Sequence, residues 1–470
     1  METGLTVALI VFATAVAANF LHDRQRRKLN YVDDLLAREV GDIGSYAAYA
    51  KSLPLYRFAD LHRAADRLAD EAGAVARIAS THPEPLAMIL AGRFYHGPNR
   101  SVRTPDAITR SVGEGKEAFF PTDGFLILDL PEGGGKRVII RILRQPHTRE
   151  AVVEIGAATR EAAQAVLDRL LTLASTHSVY RGHTLEVSFE TEIRDEHGDV
   201  EPGSFVDLRF RSHYAVAEAD IVLDDAMRGL IDRLLIQFHH RRDELGRLGL
   251  PARRGVLLFG PPGTGKTYLC KYLAHRLDGV TTLVATGRAL LHARSICQIA
   301  RMLQPALVVL EDVDLVYSSR EENAYGVALG ELMDELDGFA ADDAILFVLT
   351  TNAIERVEAA VKDRPGRISQ CILFDLPGPA LRQRYLDALT APYDTAALDA
   401  EALTALTDRT SHAFLKELVF RAVQIAAEDA IPAEPAGLRL RLPHFEEALH
   451  EMKGGAGRAG AGILGFHAST

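Results

Sequence analysis

The stretch "GVLLFGPPGTGKTYLCKYLA", Gly255 to Ala274, decides the fold. Val256 to Phe259 form an apolar run suited to a short buried strand, and the run stops at Gly260. From Gly260 to Thr267 the pattern G-x-x-x-x-G-K-T is complete, and a helical segment follows it. Glycines in this setting let backbone N–H groups curl around phosphate, and the helix start adds its partial positive charge. Lys266 is placed to reach the outer phosphates and Thr267 to offer a hydroxyl to Mg²⁺. The candidate nucleotide-binding residues are therefore Gly260, Pro262, Gly263, Thr264, Gly265, Lys266, Thr267 and Tyr268, with ATP and Mg²⁺ as the expected cofactors and GTP as the other nucleotide the motif admits.

Such a loop needs a second strand that delivers carboxylates to the metal and to the attacking water. "ALVVLEDVDLV", Ala306 to Val316, supplies one, but its carboxylates stand as Glu311 then Asp312, whereas the usual order is Asp then Glu. A further buried run, "AILFVLTTN", ends in Asn352, whose amide can orient water or sense the terminal phosphate. Next, "RPGR" carries Arg364 and Arg367 on a Pro-Gly turn. Alone it would be a surface loop; after the Asn-bearing strand it is a candidate arginine finger acting across a subunit boundary.

Bulk properties bound the rest. A chain of 470 residues exceeds one ordinary core, and 47% hydrophobic with 25% charged residues is the composition of a folded protein. The net charge of -11 gives no electrostatic reason for a nucleic-acid partner. Cys270, Cys297 and Cys371 lie far apart without paired or metal-ligand spacing, which fits a reducing compartment. Near the start, "GLTVALIVFATAVAANFL" (Gly4 to Leu21) is close to the length a membrane-spanning helix needs. Arg24, Arg26, Arg27 and Lys28 follow it, so the positive-inside rule predicts a single-pass anchor with the N-terminus outside and the remainder in the cytoplasm or organellar matrix.

Between anchor and P-loop the periodicity changes. "YRFADLHRAADRLADEAGAVARI" predicts helix within a juxtamembrane region. "GFLILDL" and "RVIIRIL", joined by "PEGGGK", predict a hairpin, and "TLEVSFE" and "SFVDLRF" predict two half-buried strands. Between these strand pairs Thr159 should cap a helix that buries Ala163, Val166, Leu167, Leu170, Leu171 and Ala174. His239 and His240 are adjacent on a helix and do not face one another, so a solvated face is preferred to a metal pair.

From about Val216 to Met452 the chain resembles an AAA-family ATPase module, in "GPPGTGKT", the second strand, "DELDGF" (Asp334 to Phe339), "TTN", "RPGR" and "SHAFLKELVFRA", which is similar to the family's lid helix. The resemblance implies an α/β fold, a parallel sheet with helices on both faces plus a helical lid, here preceded by a transmembrane helix and a small α+β domain. It also implies a self-assembled ring, hexameric or alternatively heptameric, that acts on a protein client. The expected division is 1–22 anchor, 23–95 juxtamembrane helical region, 96–215 α+β middle domain, 216–377 large subdomain, 378–453 lid and 454–470 tail.

Two departures refine this. "TGRALLHARSICQIARMLQP" lacks the aromatic-apolar-Gly triplet of threading unfoldases, and no HExxH motif follows the lid in this sequence. The Glu-Asp order, with an N-terminal apolar segment and a β-containing middle domain, is similar to the AAA branch that includes the mitochondrial inner-membrane translocase of the Rieske iron–sulfur protein. That similarity implies Glu311 and Thr267 on the Mg²⁺ side and Asp312 on the water side, with Asn352, Arg364 and Arg367 completing the catalytic set.

Overall fold

The structure is a computed structural model that describes residues 32–80, 82, 84–93, 104–145, 150–194, 200–212, 222–314, 334–335, 338–340, 342–355, 368–428 and 431–454. It divides into two compact units. One runs to Tyr180 and takes in Glu190–Asp207; the other comprises Arg181–Phe189 and everything from Leu208 on.

In the first unit the elements are α1 (Val32–Val40), β1 (Ala47–Pro54), α2 (Phe58–Ala72), β2 (Ala74–Ile78), α3 (Leu86–Leu90), β3 (Ala107–Gly113), β4 (Lys116–Pro121), β5 (Phe125–Leu128), β6 (Val138–Gln145), β7 (Glu150–Ala157) and α4 (Arg160–Thr176). The strands form an antiparallel sheet in the order β1-β7-β6-β5-β2, with β3 and β4 as a separate hairpin. The expected hairpin is β5 with β6, placing Ile127 opposite Ile139. Thr159 caps α4 by accepting from the Ala162 amide, and Leu171 alone of the expected face is only half-buried.

The juxtamembrane reading as helix is corrected here. α2 stops at Gly73, whose φ of +75° is left-handed, and Ala74–Ile78 pairs with β5 as a strand. Ala47–Pro54 is likewise an edge strand on β7, half-buried at best along its length, so it offered no strong period. Both segments therefore belong to one α+β unit with the hairpin. At its heart Arg141, 1% exposed, donates to Asp123 (2.7 Å) and Glu154 (2.9 Å), and these buried ions satisfy one another.

The strands β8 (Thr184–Arg194) and β9 (Val200–Phe210) were expected in the middle domain; Glu190–Asp207 stays with the first unit, whereas the start of β8 belongs to the second and pairs there with β11. There Leu185 aligns with Leu283, in parallel. The chain continues through α5 (Asp225–Ile231), a π turn (Asp232–Ile236), α6 (Gln237–His240), α7 (Arg242–Arg247), β10 (Arg254–Phe259), α8 (Lys266–Arg276), β11 (Thr281–Thr286), α9 (Ala293–Met302), β12 (Ala306–Glu311), β13 (Ile345–Thr351) and β14 (Gln370–Leu373). Among the described residues four lid helices follow: α10 (Pro379–Thr390), α11 (Ala400–Leu406), α12 (His412–Ala426) and α13 (Leu442–Gly454).

The sheet order is β14-β10-β13-β12-β11-β8-β9, and the five strands from β14 to β11 are parallel. Strands β10, β12 and β13 read as continuous apolar runs because their residues are almost all buried. Since β10 lies beside β13 and β13 beside β12, the carboxyl ends of all three open on one edge, where ligands of such sheets bind. The lid has its own core, in which Leu386, Phe414, Leu415, Leu418 and Phe445 are buried. His239 is buried and His240 exposed, so only His240 fits the expected solvated face.

Among the described residues no helix is long and apolar enough to cross a membrane. The run Gly4–Leu21, the tail from 455 onward and Arg364 and Arg367 all lie outside the described residues.

Candidate active site

The loop between β10 and α8 is shaped by two glycines. Gly260 has φ +142°, and a Cβ there would lie 2.1 Å from the Phe374 carbonyl oxygen. Gly263 has φ +75°, and a Cβ would lie 2.9 Å from both the Ala413 Cβ and the Ser411 Oγ. These contacts join the loop to the start of α12, where the Ala413 amide also donates to the Gly263 carbonyl at 3.0 Å. Lid and loop are thus joined by backbone at Gly263.

Lys266 is 6% exposed, and its Nζ donates to the carbonyls of Gly260 and Pro261, each at 2.8 Å. Burial brings its pKa down to about 8, against the pull of Asp312 and Asp314. A lysine turned onto neutral carbonyls in this way suits an anionic partner, because a phosphate would offset the cost of burying its charge.

Opposite it, Asp312 follows β12 with a left-handed φ of +51°. Its amide donates to Thr350 Oγ1 (2.9 Å), and its Oδ1 accepts from Asn352 Nδ2 (3.1 Å). Asp314, 5% exposed, accepts from Thr351 Oγ1 (2.7 Å) and from the Asn352 amide (3.1 Å). The ends of β12 and β13 are therefore clasped by carboxylates. Burial, and secondarily Asp314, raises the Asp312 pKa, with Lys266 and Asn352 opposing.

One cavity of about 600 Å³ collects most of the expected residues: Pro262, Gly263, Thr264, Gly265, Lys266, Thr267, Tyr268, Asp312 and Asn352 all line it. Gly260 shapes the loop without lining the cavity, and Glu311 lines a neighbouring one with Cys270 and Lys271 of α8. The nucleotide fits this setting, because the glycine cradle would be filled by a Cβ and the buried Lys266 has no carboxylate in contact among the described residues. Thr267 and Asp312 line this cavity together and their oxygen donors suit a hard cation such as Mg²⁺, whereas Glu311 is not brought to them. Asp314 and the threonines of β13 were not singled out from sequence. The signal was present: a third carboxylate two residues after Asp312, and "TT" directly before Asn352.

A parallel sheet with a P-loop at its switch point and carboxylates on the facing strand ends defines a P-loop nucleoside triphosphatase. Residues 256–376 match the family described as ATPase family associated with various cellular activities (AAA). The ATP-dependent zinc metalloprotease FtsH of Marinobacter nauticus is 32% identical over 212 residues, covering 42% of this chain and 33% of that protein. The 26S proteasome regulatory subunit 8 homolog of Schizosaccharomyces pombe is 33% identical over 154 residues (30% and 38%), and regulatory subunit 8 of Caenorhabditis elegans 35% over 150 residues (29% and 36%). The chain spans 33% to 38% of the length of these curated relatives. It carries an AAA ATPase domain, the module of ATP hydrolases.

Proposed function

We propose that this chain is a membrane-anchored AAA ATPase whose ring, hexameric in our reading, uses ATP hydrolysis to remodel or translocate a protein client. The observation that carries hydrolysis is the hydrogen bond between Asp312 and Asn352, placed across the cavity from the loop that holds Lys266. In this reading loop amides and Lys266 bind the phosphates, and Thr267, with Glu311 once its side chain turns from the neighbouring cavity, would hold a Mg²⁺ that supplies charge neutralisation there. Asp312 takes a proton from water that Asn352 orients, and its raised proton affinity favours that step. Asp314 acts through others, by fixing the strand end that carries Asn352. Arg364 and Arg367 of a neighbouring subunit would stabilise transition-state charge.

The anchor rests on the apolar run Gly4–Leu21, and translocation of a client on the resemblance to the Rieske-protein translocase branch. The absence of a pore triplet between Thr286 and Pro305 disfavours threading. Turnover measured over a concentration series of detergent-solubilised protein, beside Lys266→Ala and Asp312→Asn, tests the reading. Turnover that rises with assembly and disappears in both variants supports it. Nucleotide-dependent assembly without turnover would replace it with an ATP-gated membrane scaffold.

A further inference from the structure

The cavity that Glu311 lines measures about 480 Å³, lies wholly within the second unit, and is of a size that holds a small ligand. α8 forms one wall, and β8, β11 and β12 form the floor. Thr282 lies level with Leu307 and Glu311 stands four residues further along β12, so the two ends of the floor are about 13 Å apart.

The Thr282 end is polar and unfinished. Thr282 is 1% exposed, yet its Oγ1 has no hydrogen-bond partner among the described residues. Buried polar atoms without partners are rare in folded proteins, and each asks for a cause. Thr184 pairs with Thr282 across β8 and β11, and the Arg211 amide donates to the Thr184 carbonyl at 2.9 Å, which brings Arg211 to the same end. Its guanidinium meets Glu186 through Nε alone among the described residues (3.3 Å), so the two terminal nitrogens can fork a carboxylate. Val284, Val309 and Ala274 make the middle apolar. At the other end Glu311 can accept and Lys271 can donate, and a hydroxyl serves both.

We propose that this cavity binds an ω-hydroxy carboxylate, a small amphipathic acid whose carboxylate accepts from the Thr282 hydroxyl and the Arg211 fork while its terminal hydroxyl reaches Glu311. Resting on the reading of Glu311 above, the bound acid keeps that side chain from turning toward the nucleotide cavity and so lowers turnover.

The test titrates 8-hydroxyoctanoate calorimetrically into the nucleotide-free full chain, beside octanoate and 1,8-octanediol, each of which lacks one polar end. The expected result is binding of the hydroxy acid, with both comparators weaker by about five- to tenfold, and no displacement by ATP in the absence of Mg²⁺. Thr282→Val keeps the shape and removes the hydroxyl, so it should weaken binding by about tenfold while the ligand-free melting temperature stays at or above wild type. Ala274→Leu fills the middle of the cavity and should abolish binding. Wild type that does not bind the acid overturns the proposal, as do undiminished affinity in Thr282→Val, comparators that bind as tightly, or displacement by ATP, which would put the acid in the nucleotide cavity. A lowered ligand-free melting temperature in Thr282→Val also overturns it, by giving the hydroxyl a partner within the protein. Turnover unmoved by saturating acid overturns the control of Glu311. A chain that binds the acid but hydrolyses no ATP would instead refute the functional reading alone.

Discussion

At Asp312 the left-handed backbone gives the reversed Glu-Asp order a physical basis. Asp and Asn tolerate φ near the observed +51° better than longer side chains, because a short polar group can bond locally. Restoring the common order at this position should therefore do harm: Asp312→Glu is expected to destabilise the protein by about 1 kcal/mol, whereas Asp312→Asn keeps the backbone and should melt as wild type. Thermal denaturation of both variants checks this, and it makes Asp312→Asn the clean probe of the carboxylate. Lys266 gives a second expectation. In the empty site its proton is lost as pH rises through about 8, and a triphosphate wants it charged, so ATP binding must take up a proton above that pH. Affinity should fall by up to about tenfold per pH unit there, with calorimetric proton uptake in buffers of different ionisation enthalpy as the readout.

Among elements, the β10–α8 loop is wedged against β14 on one side and α12 on the other. Gly260→Ala would drive a Cβ into the Phe374 carbonyl and strain φ, with an expected loss of about 3 kcal/mol or more. Gly263→Ala meets the Ala413 methyl and the Ser411 side chain and strains a φ of +75°, so it should cost about 1–2 kcal/mol, less than Gly260→Ala, while lifting the lid and weakening nucleotide binding. Chemical denaturation with nucleotide titration separates the two. Such elements also show what a sequence discloses. The strands β10, β12 and β13 were legible because parallel strands covered on both faces are uninterrupted apolar runs. The P-loop, Asp312 and Asn352 were legible because each closes a buried apolar strand with residues of distinctive chemistry, although the sheet sets β13 between β10 and β12. β1 and β2 were not, since short edge strands with half-exposed side chains carry no clean period, and Gly73 was passed over inside a helical pattern. Neither was the allegiance of β8 and β9, because alternation names a strand and leaves its partner open. The burial of His239 beside exposed His240 escaped for a related reason: adjacent helical residues straddle the edge of a face.

Over the whole molecule, both units carry histidines held neutral by burial. His62 in the first and His239 and His412 in the second each have pKa values lowered to about 4. Below the unfolded value of about 6.5 the unfolded chain binds protons that the folded one refuses, so stability falls as pH drops through that window. Asp60 in the first unit works in the opposite sense. Burial raises its pKa to about 6, so the folded form gains a proton first on acidification and is relatively protected. Scanning calorimetry near neutrality and at about pH 5 should show the second unit losing more of its melting temperature than the first. Within that second unit the bond from the Ala413 amide to the Gly263 carbonyl sets a gearing ratio. The bonded end of α12 is the short arm and its 15 residues, about 22 Å of helix, are the long one. A tilt of about 5° as the loop closes on phosphate would swing the far end by about 2 Å. The number of phosphates in the cavity would thereby be written as the angle of a lever.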